Sequence, residues 1–351
     1  MGNKIEAKNR LIGLDILRIL SMALITLRHF IGYAGLTELL PFFSVNGIAV
    51  RILDIFCGSA VNIFVLISGY FLVSSTFKWS RALKIWGETF FYSVVCFIVA
   101  AALNLEKITS GKMLLSFLPF LSRHYWFTVA YLALYAVSPF LNKLLQALSE
   151  KEYTVLTVGG AVLLSLWTSV MYFSQGVLTG GNTGLLWFIY LYILGGYIKQ
   201  YRHKFPKTGV CLLLMGIVTV VMLMYSFASS KIGFLKNFPV YEDDSIFELL
   251  LSVLLFLVFQ NITCKNAVFT KCIVFVASCS FGVYLIQESC MIRQWLWNSV
   301  VKADTLAEKW YLLPVAGLVI VCLFAVAMVG HKLYELLYSC GEKLFGKKKH
   351  S

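Results

Sequence analysis

Four ionisable side chains lie in the first long apolar segment of the chain, LIGLDILRILSMALITLRHF, which covers residues 11–30. They are Asp15, Arg18, Arg28 and His29. Such side chains in the middle of a membrane segment cost a few kcal/mol each, so they usually pair or line a polar path. Eleven helical residues turn by about 1100° and rise by about 16 Å, which places Arg18 and His29 on one stripe. Asp15 lies one turn before Arg18 and is predicted to pair with it.

This stripe has two interpretations on the evidence of the helix alone. Its polar groups could form a path that crosses half of the bilayer. Alternatively, Asp15 and Arg18 snorkel to the headgroups at one end of the helix, and His29 does so at the other end. Arg28 is turned by about 80° from the stripe and needs a separate partner or the outer interface.

The composition of the whole chain indicates a membrane protein. Hydrophobic residues make up 59% of the 351 residues and charged residues only 13%, and the mean hydropathy is +0.80. A soluble domain needs more polar surface, whereas repeated apolar runs of about 20 residues each span a bilayer. We therefore predict an all-α polytopic membrane protein that forms a single domain over residues 1–351. The first apolar segment has no cleavage site after it and is predicted to be a retained helix.

The apolar runs predict about ten spans, which are separated by loops rich in Gly, Pro and charged residues. Most of the lysines and arginines fall in the amino-terminus, the carboxyl-terminus and alternate loops, so both termini are predicted to be cytoplasmic. These basic residues lie on short loops without a nucleic-acid-binding fold, and we expect no nucleic-acid partner. The predicted spans are 11–33, 50–73, 84–103, 124–147, 153–173, 184–200, 209–228, 246–263, 272–298 and 311–338.

Three further motifs accompany the first helix. One is Phe-x-x-x-Ser-Gly-Tyr, and the others are Trp-Phe followed by Tyr-x-x-Ser-Pro, and SFGVYLIQ at residues 280–287. Together with the first helix, in this order and at these intervals, they resemble the acyltransferase 3 family of integral membrane acyltransferases over essentially the whole chain. The residues that carry the resemblance are Leu14, Asp15, Arg18 and His29, then Phe64, Ser68, Gly69 and Tyr70, then Trp126, Phe127, Tyr135, Ser138 and Pro139.

The resemblance implies transfer of an acyl group, usually acetyl, from cytoplasmic acyl-coenzyme A to a hydroxyl group of a glycan or a small acceptor. An imidazole can take the proton of an attacking hydroxyl, so His29 is predicted to be the catalytic base, or to be acylated transiently. Arg18, supported by Asp15, suits a phosphate group or a developing negative charge on the acyl oxygen. Acyl-coenzyme A, in the first place acetyl-coenzyme A, is thus the expected donor substrate. No permanently bound cofactor is expected.

Binding roles are predicted for several other residues. Arg18, Arg28, Lys199 and Arg202 are candidates to hold the phosphates of the nucleotide, although membrane topology also explains the basic loops. The acceptor candidates are His124, Trp126, Tyr70, Ser68, Gln287 and Glu288. For His124 and Trp126, an ordinary interfacial anchor is the alternative interpretation.

One departure from the family pattern affects the site. Many relatives have a histidine where this chain has Gln287, and a glutamine cannot shuttle a proton at neutral pH. We therefore expect a structural or acceptor-orienting role for Gln287. Glu88, Glu248 and Glu288 are candidate partners for Arg18 or Arg28, and His331 is expected to pack rather than bind.

The sequence predicts no metal site, since neither its histidines nor its nine cysteines have ligand spacing. The preferred function is O-acetylation of a capsular or exopolysaccharide glycan by a multi-pass protein of a bacterial cytoplasmic membrane. Its expected partners are the lipid bilayer, acyl-coenzyme A, a hydroxylated acceptor and polysaccharide-assembly proteins. Two alternatives stay open: a secondary transporter or flippase of a small metabolite or a lipid-linked glycan, and a non-catalytic partner in polysaccharide assembly.

Overall fold

The computed structural model describes residues 11–121, 123–170 and 184–346, and of residues 123 and 341–346 it describes the backbone alone. This part of the chain is helical and contains no strand. The α-helices are α1 (Ile12–Tyr33), α2 (Leu36–Leu39), α3 (Val45–Gly58), α4 (Ala60–Leu72), α5 (Trp79–Ala102), α6 (Ser110–Phe117), α7 (Trp126–Ala147), α8 (Glu150–Ala161), α9 (Trp167–Val170), α10 (Leu185–Gln200), α11 (Thr208–Lys231), α12 (Ile246–Gln260), α13 (Ala267–Gln287), α14 (Arg293–Trp295) and α15 (Leu312–Gly346).

Short helical turns connect several of these helices. A π-helical turn, Val162–Leu166, joins α8 to α9, and a second one, Leu296–Val301, follows α14. The 3₁₀ turns are Pro119–Leu121, Arg123–Tyr125, Arg202–Lys204, Gly233–Asn237 and Ala303–Leu306.

Polar side chains at the helix starts explain several of the boundaries. Ser44 and Ser245 each accept a hydrogen bond from the backbone N–H three residues ahead, at the starts of α3 and α12. Ser149 and Glu152 form a reciprocal capping box at the start of α8. Such caps satisfy backbone N–H groups that have no partner inside the helix, and each contributes about 1 kcal/mol.

Seven helical segments of the described part are long and apolar enough to cross a membrane. Two of them combine neighbouring helices: Val45–Leu72 joins α3 and α4, and Glu150–Val170 joins α8 and α9. The seven segments correspond to seven of the predicted spans and confirm an all-α polytopic membrane protein. The other three predicted spans coincide with α1, which carries the charged stripe, and with the shorter helices α10 and α12. The count of ten and the cytoplasmic placement of both termini stay predictions, and the end of the predicted span 153–173 lies outside the described residues.

The predicted span 272–298 is not one helix. Helix α13 ends at Gln287, and a turn stabilised by backbone hydrogen bonds from Ile292 and Arg293 to Ser289 separates it from α14. The break falls at three consecutive polar residues, Gln287, Glu288 and Ser289. It turns Glu288 and Arg293 towards the first helix, where both contribute to the site described below.

The Ser-Gly-Tyr motif lies where helices α4 and α10 approach most closely. A Cβ atom on Gly69 would lie 2.3 Å from the carbonyl oxygen of Tyr192, and one on Gly195 would lie 2.4 Å from the carbonyl oxygen of Leu66. Only glycine allows backbones to approach this closely, and small residues at helix contacts are typical of membrane proteins. This contact packs α4 tightly against α10.

Candidate active site

A cavity of about 400 Å³ lies beside α1 and is bounded by residues of α3, α4, α5, α7 and α13. It extends along the polar stripe from Arg18 to His29, so both ends of the predicted stripe line one space. Its volume falls within the range of ligand sites, which is roughly 300–1,000 Å³. Its charged and hydroxyl-bearing lining residues include Arg18, Arg28, His29, Ser68, Glu88, Tyr131, Asp243, Ser278, Tyr284 and Glu288.

The end of the cavity nearest the amino-terminus carries the predicted ion pair. A guanidinium nitrogen of Arg18 lies 3.2 Å from Oδ1 of Asp15, as their spacing on the helix predicted. Asp15 is buried, whereas 30% of the Arg18 side chain remains exposed. Asp15 therefore offsets part of the cost of burying the guanidinium and leaves it accessible to an anion.

At the other end of the cavity, His29 is held by a carboxylate. Its Nε2 lies 3.0 Å from Oε1 of Glu288, which is 5% exposed. With Glu288 ionised, Nε2–H donates this hydrogen bond and Nδ1 is left as the acceptor nitrogen. Within the described part of the chain, Nδ1 has no hydrogen-bond partner. An imidazole oriented by a carboxylate through one nitrogen has the arrangement of a general base, and in this structure its other nitrogen is buried beside the side chain of Gln287.

Glu288 belongs to a longer network of hydrogen-bonded side chains. Its second oxygen, Oε2, accepts a hydrogen bond of 3.1 Å from Arg293, and the same guanidinium nitrogen lies 3.1 Å from Nδ1 of His124. His29, Glu288, Arg293 and His124 thus form one continuous network across α1, the end of α13, α14 and the start of α7. The Arg293 guanidinium also lies 5.4 Å from the centre of the Tyr33 ring.

Sequence reasoning missed Arg293. The signal was available, because Arg293 is an ionisable residue inside a stretch predicted to be a membrane span, the same criterion that singled out Arg18. Its effect is to favour the ionised form of Glu288, and through it the tautomer of His29 that leaves Nδ1 free.

Arg28 pairs with a residue that we did not consider. One of its guanidinium nitrogens lies 3.1 Å from Oδ1 of Asp243, in the loop before α12. The candidate partner Glu288 instead binds His29 and Arg293, and Glu248 is buried with no hydrogen-bond partner for its carboxylate oxygens among the described residues. Asp243 lies far from Arg28 in sequence and in a loop, so spacing along a helix could not identify it. Burial raises the pKa of the Asp243 carboxyl to about 6, and the nearby Arg28 opposes that rise.

The acceptor candidates divide into two groups. Ser68 and Trp126 line the cavity, and the Ser68 hydroxyl donates to the hydroxyl of Tyr131 at 3.2 Å. Gln287 is fully buried and Tyr70 receives a hydrogen bond of 3.0 Å from Gln260. Neither Gln287 nor Tyr70 lines the cavity, but the side chain of Gln287 lies beside the His29 imidazole, and the acceptor role of both residues stays a prediction.

Lys199 and Arg202 do not line the cavity either. Lys199 contacts the hydroxyl of Ser74 and lies over the ring of Tyr70, and Arg202 lies 3.4 Å from the carbonyl oxygen of Phe205 in its own loop. Lys199 lies in the last turn of α10 and Arg202 follows this helix, and their surroundings agree with the topological explanation of the basic loops. Their predicted contact with phosphate stays a prediction.

His331, which is expected to pack rather than bind, is buried and also makes polar contacts. Its Nδ1 lies 3.6 Å from Glu88 and its Nε2 lies 3.4 Å from Glu335 and 3.3 Å from the hydroxyl of Ser278. Glu88 and Ser278 line the central cavity. No group of three or more His, Cys, Asp or Glu residues in the described part of the chain could hold a metal ion.

The comparison with protein families agrees with this geometry. The acyltransferase 3 family model, which describes an acyltransferase domain, matches residues 11–330. The chain belongs to the acyltransferase 3 family. The match includes every residue that lines the cavity, and this member of the acyltransferase 3 family is a membrane acyltransferase. The searches of curated proteins and of solved structures found no match.

Proposed function

We propose that the protein transfers an acyl group, in the first place acetyl, from cytoplasmic acyl-coenzyme A to a hydroxyl group of a cell-surface glycan. The observation that carries this proposal is the placement of His29 in the cavity, with Nε2 bonded to Glu288 and Nδ1 without a partner among the described residues. A thioester is a reactive acyl donor and an alcohol a poor nucleophile, so a base at the hydroxyl is the group that the reaction needs.

The reaction proceeds by direct transfer in this account. The acceptor hydroxyl gives its proton to Nδ1 of His29 while its oxygen attacks the thioester carbonyl. The tetrahedral intermediate then breaks its carbon–sulfur bond, and the imidazolium returns the proton to the departing thiolate. The products are the ester and free coenzyme A, and His29 regains its starting state. Glu288 stabilises the imidazolium that exists between the two proton transfers.

The two arginines on α1 suit different parts of the donor. Eleven helical residues separate Arg18 from His29, a rise of about 16 Å, so Arg18 is too distant to contact the reacting carbonyl. It fits the nucleotide phosphates, for which a guanidinium is well suited. Arg28 precedes His29 directly and lines the same cavity, which places it closer to the developing negative charge on the acyl oxygen.

Acetyl transfer can be measured in membranes that contain the protein. Acetyl-coenzyme A and the deacylated surface polysaccharide of the source cell serve as substrates, and release of coenzyme A that depends on the polysaccharide is the readout. Replacement of a general base lowers the rate by about 10²–10⁴-fold, which is expected for His29→Ala. His203→Ala is the matched control, because His203 is exposed in the loop after α10. Equal rates for His29→Ala and the native protein would overturn the proposal.

A further inference from the structure

A second cavity begins where the first helix passes His29. Its volume is about 590 Å³, within the range of ligand sites. The end of α1, the short helix α2 and the segment around residues 297–304 form its walls. These parts of the chain are remote in sequence and meet only in the folded protein. The central cavity and the proposed mechanism do not use any of the side chains that line it.

His29 lies at the boundary between the two cavities. Its ring centre is 6.0 Å from that of Tyr33 and 5.8 Å from that of Trp297, each in an edge-on arrangement. Tyr33 and Trp297 stack on each other and both line the second cavity, whereas His29 lines the central one. The rings of Tyr33 and Trp297 thus adjoin both the imidazole and the second cavity.

The second cavity offers groups that bind hydroxyls. Glu38, Asn298 and Asp304 supply two carboxylates and an amide, and all three are exposed. Trp297 is 2% exposed, and its Nε1–H has no hydrogen-bond acceptor among the described residues. A buried donor without a partner costs free energy unless a ligand or water supplies an acceptor. Leu39 adds an apolar surface that is 56% exposed.

The backbone around this cavity adopts conformations that are uncommon in ordinary helices. Gly35, in its wall, has φ +58°, and Lys302, between two lining residues, has φ +45°. The π-helical turn Leu296–Val301 supplies Trp297 and Asn298. Such features concentrate at functional sites, where they position side chains that a regular helix would direct elsewhere.

We propose that the second cavity binds the acyl acceptor, and that the reacting unit of this acceptor is a neutral or amino sugar. The inference rests on the proposed function and deepens it. The carboxylates of Glu38 and Asp304 accept hydrogen bonds from sugar hydroxyls and attract an amino group, whereas they repel a uronate. Nε1–H of Trp297 donates to a ring or hydroxyl oxygen, and Leu39 contacts the C–H surface. One hydroxyl of the bound sugar then faces His29, opposite the thioester in the central cavity.

The test measures the kinetics of the full-length protein in detergent, with acetyl-coenzyme A and deacylated surface polysaccharide as substrates. Glu38→Gln and Asp304→Asn are compared with Glu308→Gln, a matched control at an exposed carboxylate that does not line the cavity. Each of the two cavity variants is expected to raise the KM for polysaccharide about tenfold, the loss of one hydrogen bond to a charged group, with the KM for acetyl-coenzyme A unchanged. Proton NMR of the product is expected to place the new ester on a neutral or amino sugar.

The outcomes separate this inference from the function on which it rests. A native protein that transfers acetyl while both cavity variants keep the native KM for polysaccharide would overturn the inference and leave the proposed function intact. A new ester found on a uronate ring would also overturn the inference and leave the proposed function intact. A native protein that does not transfer acetyl would overturn both.

Discussion

At the scale of single residues, the pair formed by His29 and Glu288 determines the chemistry of the site. Glu288 is buried and binds both His29 and Arg293, so its negative charge is shared between an imidazole and a guanidinium. A carboxylate in this position stabilises the imidazolium that forms during proton transfer. His29 could be identified from the sequence through its spacing from Arg18. The pairing with Glu288 could not, because it depends on the helix break after Gln287.

Replacing Glu288 with glutamine tests that electrostatic role. A glutamine keeps a hydrogen bond to His29 and removes the charge, so we expect kcat to fall at least about tenfold while the KM for acetyl-coenzyme A is unchanged. Steady-state kinetics of the purified protein measure both constants, with Glu308→Gln as the control. A native kcat in the Glu288→Gln protein would show that the charge does not assist His29.

Replacing Arg18 tests its assignment to the donor. Loss of a charge-assisted contact with a phosphate predicts that Arg18→Ala raises the KM for acetyl-coenzyme A about tenfold or more, without a change in the KM for polysaccharide. The Arg18→Lys variant keeps the charge but not the planar guanidinium group. Its KM for acetyl-coenzyme A is expected to lie between those of the native protein and the Arg18→Ala variant. Arg81→Ala is the control, since Arg81 is exposed in the first turn of α5. An equal rise in both KM values would contradict this assignment.

At the scale of helices, Gly69 and Gly195 allow a close contact of α4 with α10. The sequence identified the Ser-Gly-Tyr motif, but only the structure shows that Gly69 faces the backbone of Tyr192. The helix break at Glu288 was missed for a related reason. Hydrophobic periodicity reports which segments are apolar, and it does not reveal a turn that tertiary contacts stabilise within an apolar run.

Enlarging Gly69 tests the packing. A Cβ atom would lie 2.3 Å from a backbone oxygen, so Gly69→Ala forces the helices apart and is expected to cost about 1–3 kcal/mol and lower the melting temperature in detergent. Gly216→Ala is the control within α11, where an added Cβ would meet no atom within 4 Å. Equal melting temperatures for the two variants would be incompatible with the close contact.

At the scale of the whole molecule, the sequence predicted the class of the protein, and several of its predicted site residues line the central cavity. Arg18, His29, Ser68 and Trp126 come from three helices, α1, α4 and α7, and all line one cavity. The contacts between remote segments were not predictable from one sequence. They include the pair of Arg28 with Asp243 and the bridge from Arg293 to His124. Each depends on how loops and helix ends meet, which spacing along the chain does not encode.

The acetyl content of the surface glycan, determined by proton NMR of the extracted polymer, tests whether the protein acetylates that glycan by means of His29. A deletion strain of the source cell is complemented with the native gene, with His29→Ala or with His203→Ala, and expression is checked in each. We predict that one O-acetyl signal disappears in the deletion strain, returns with the native gene and with His203→Ala, and stays missing with His29→Ala. An identical acetyl pattern in all four strains would contradict the proposal that this protein acetylates that glycan.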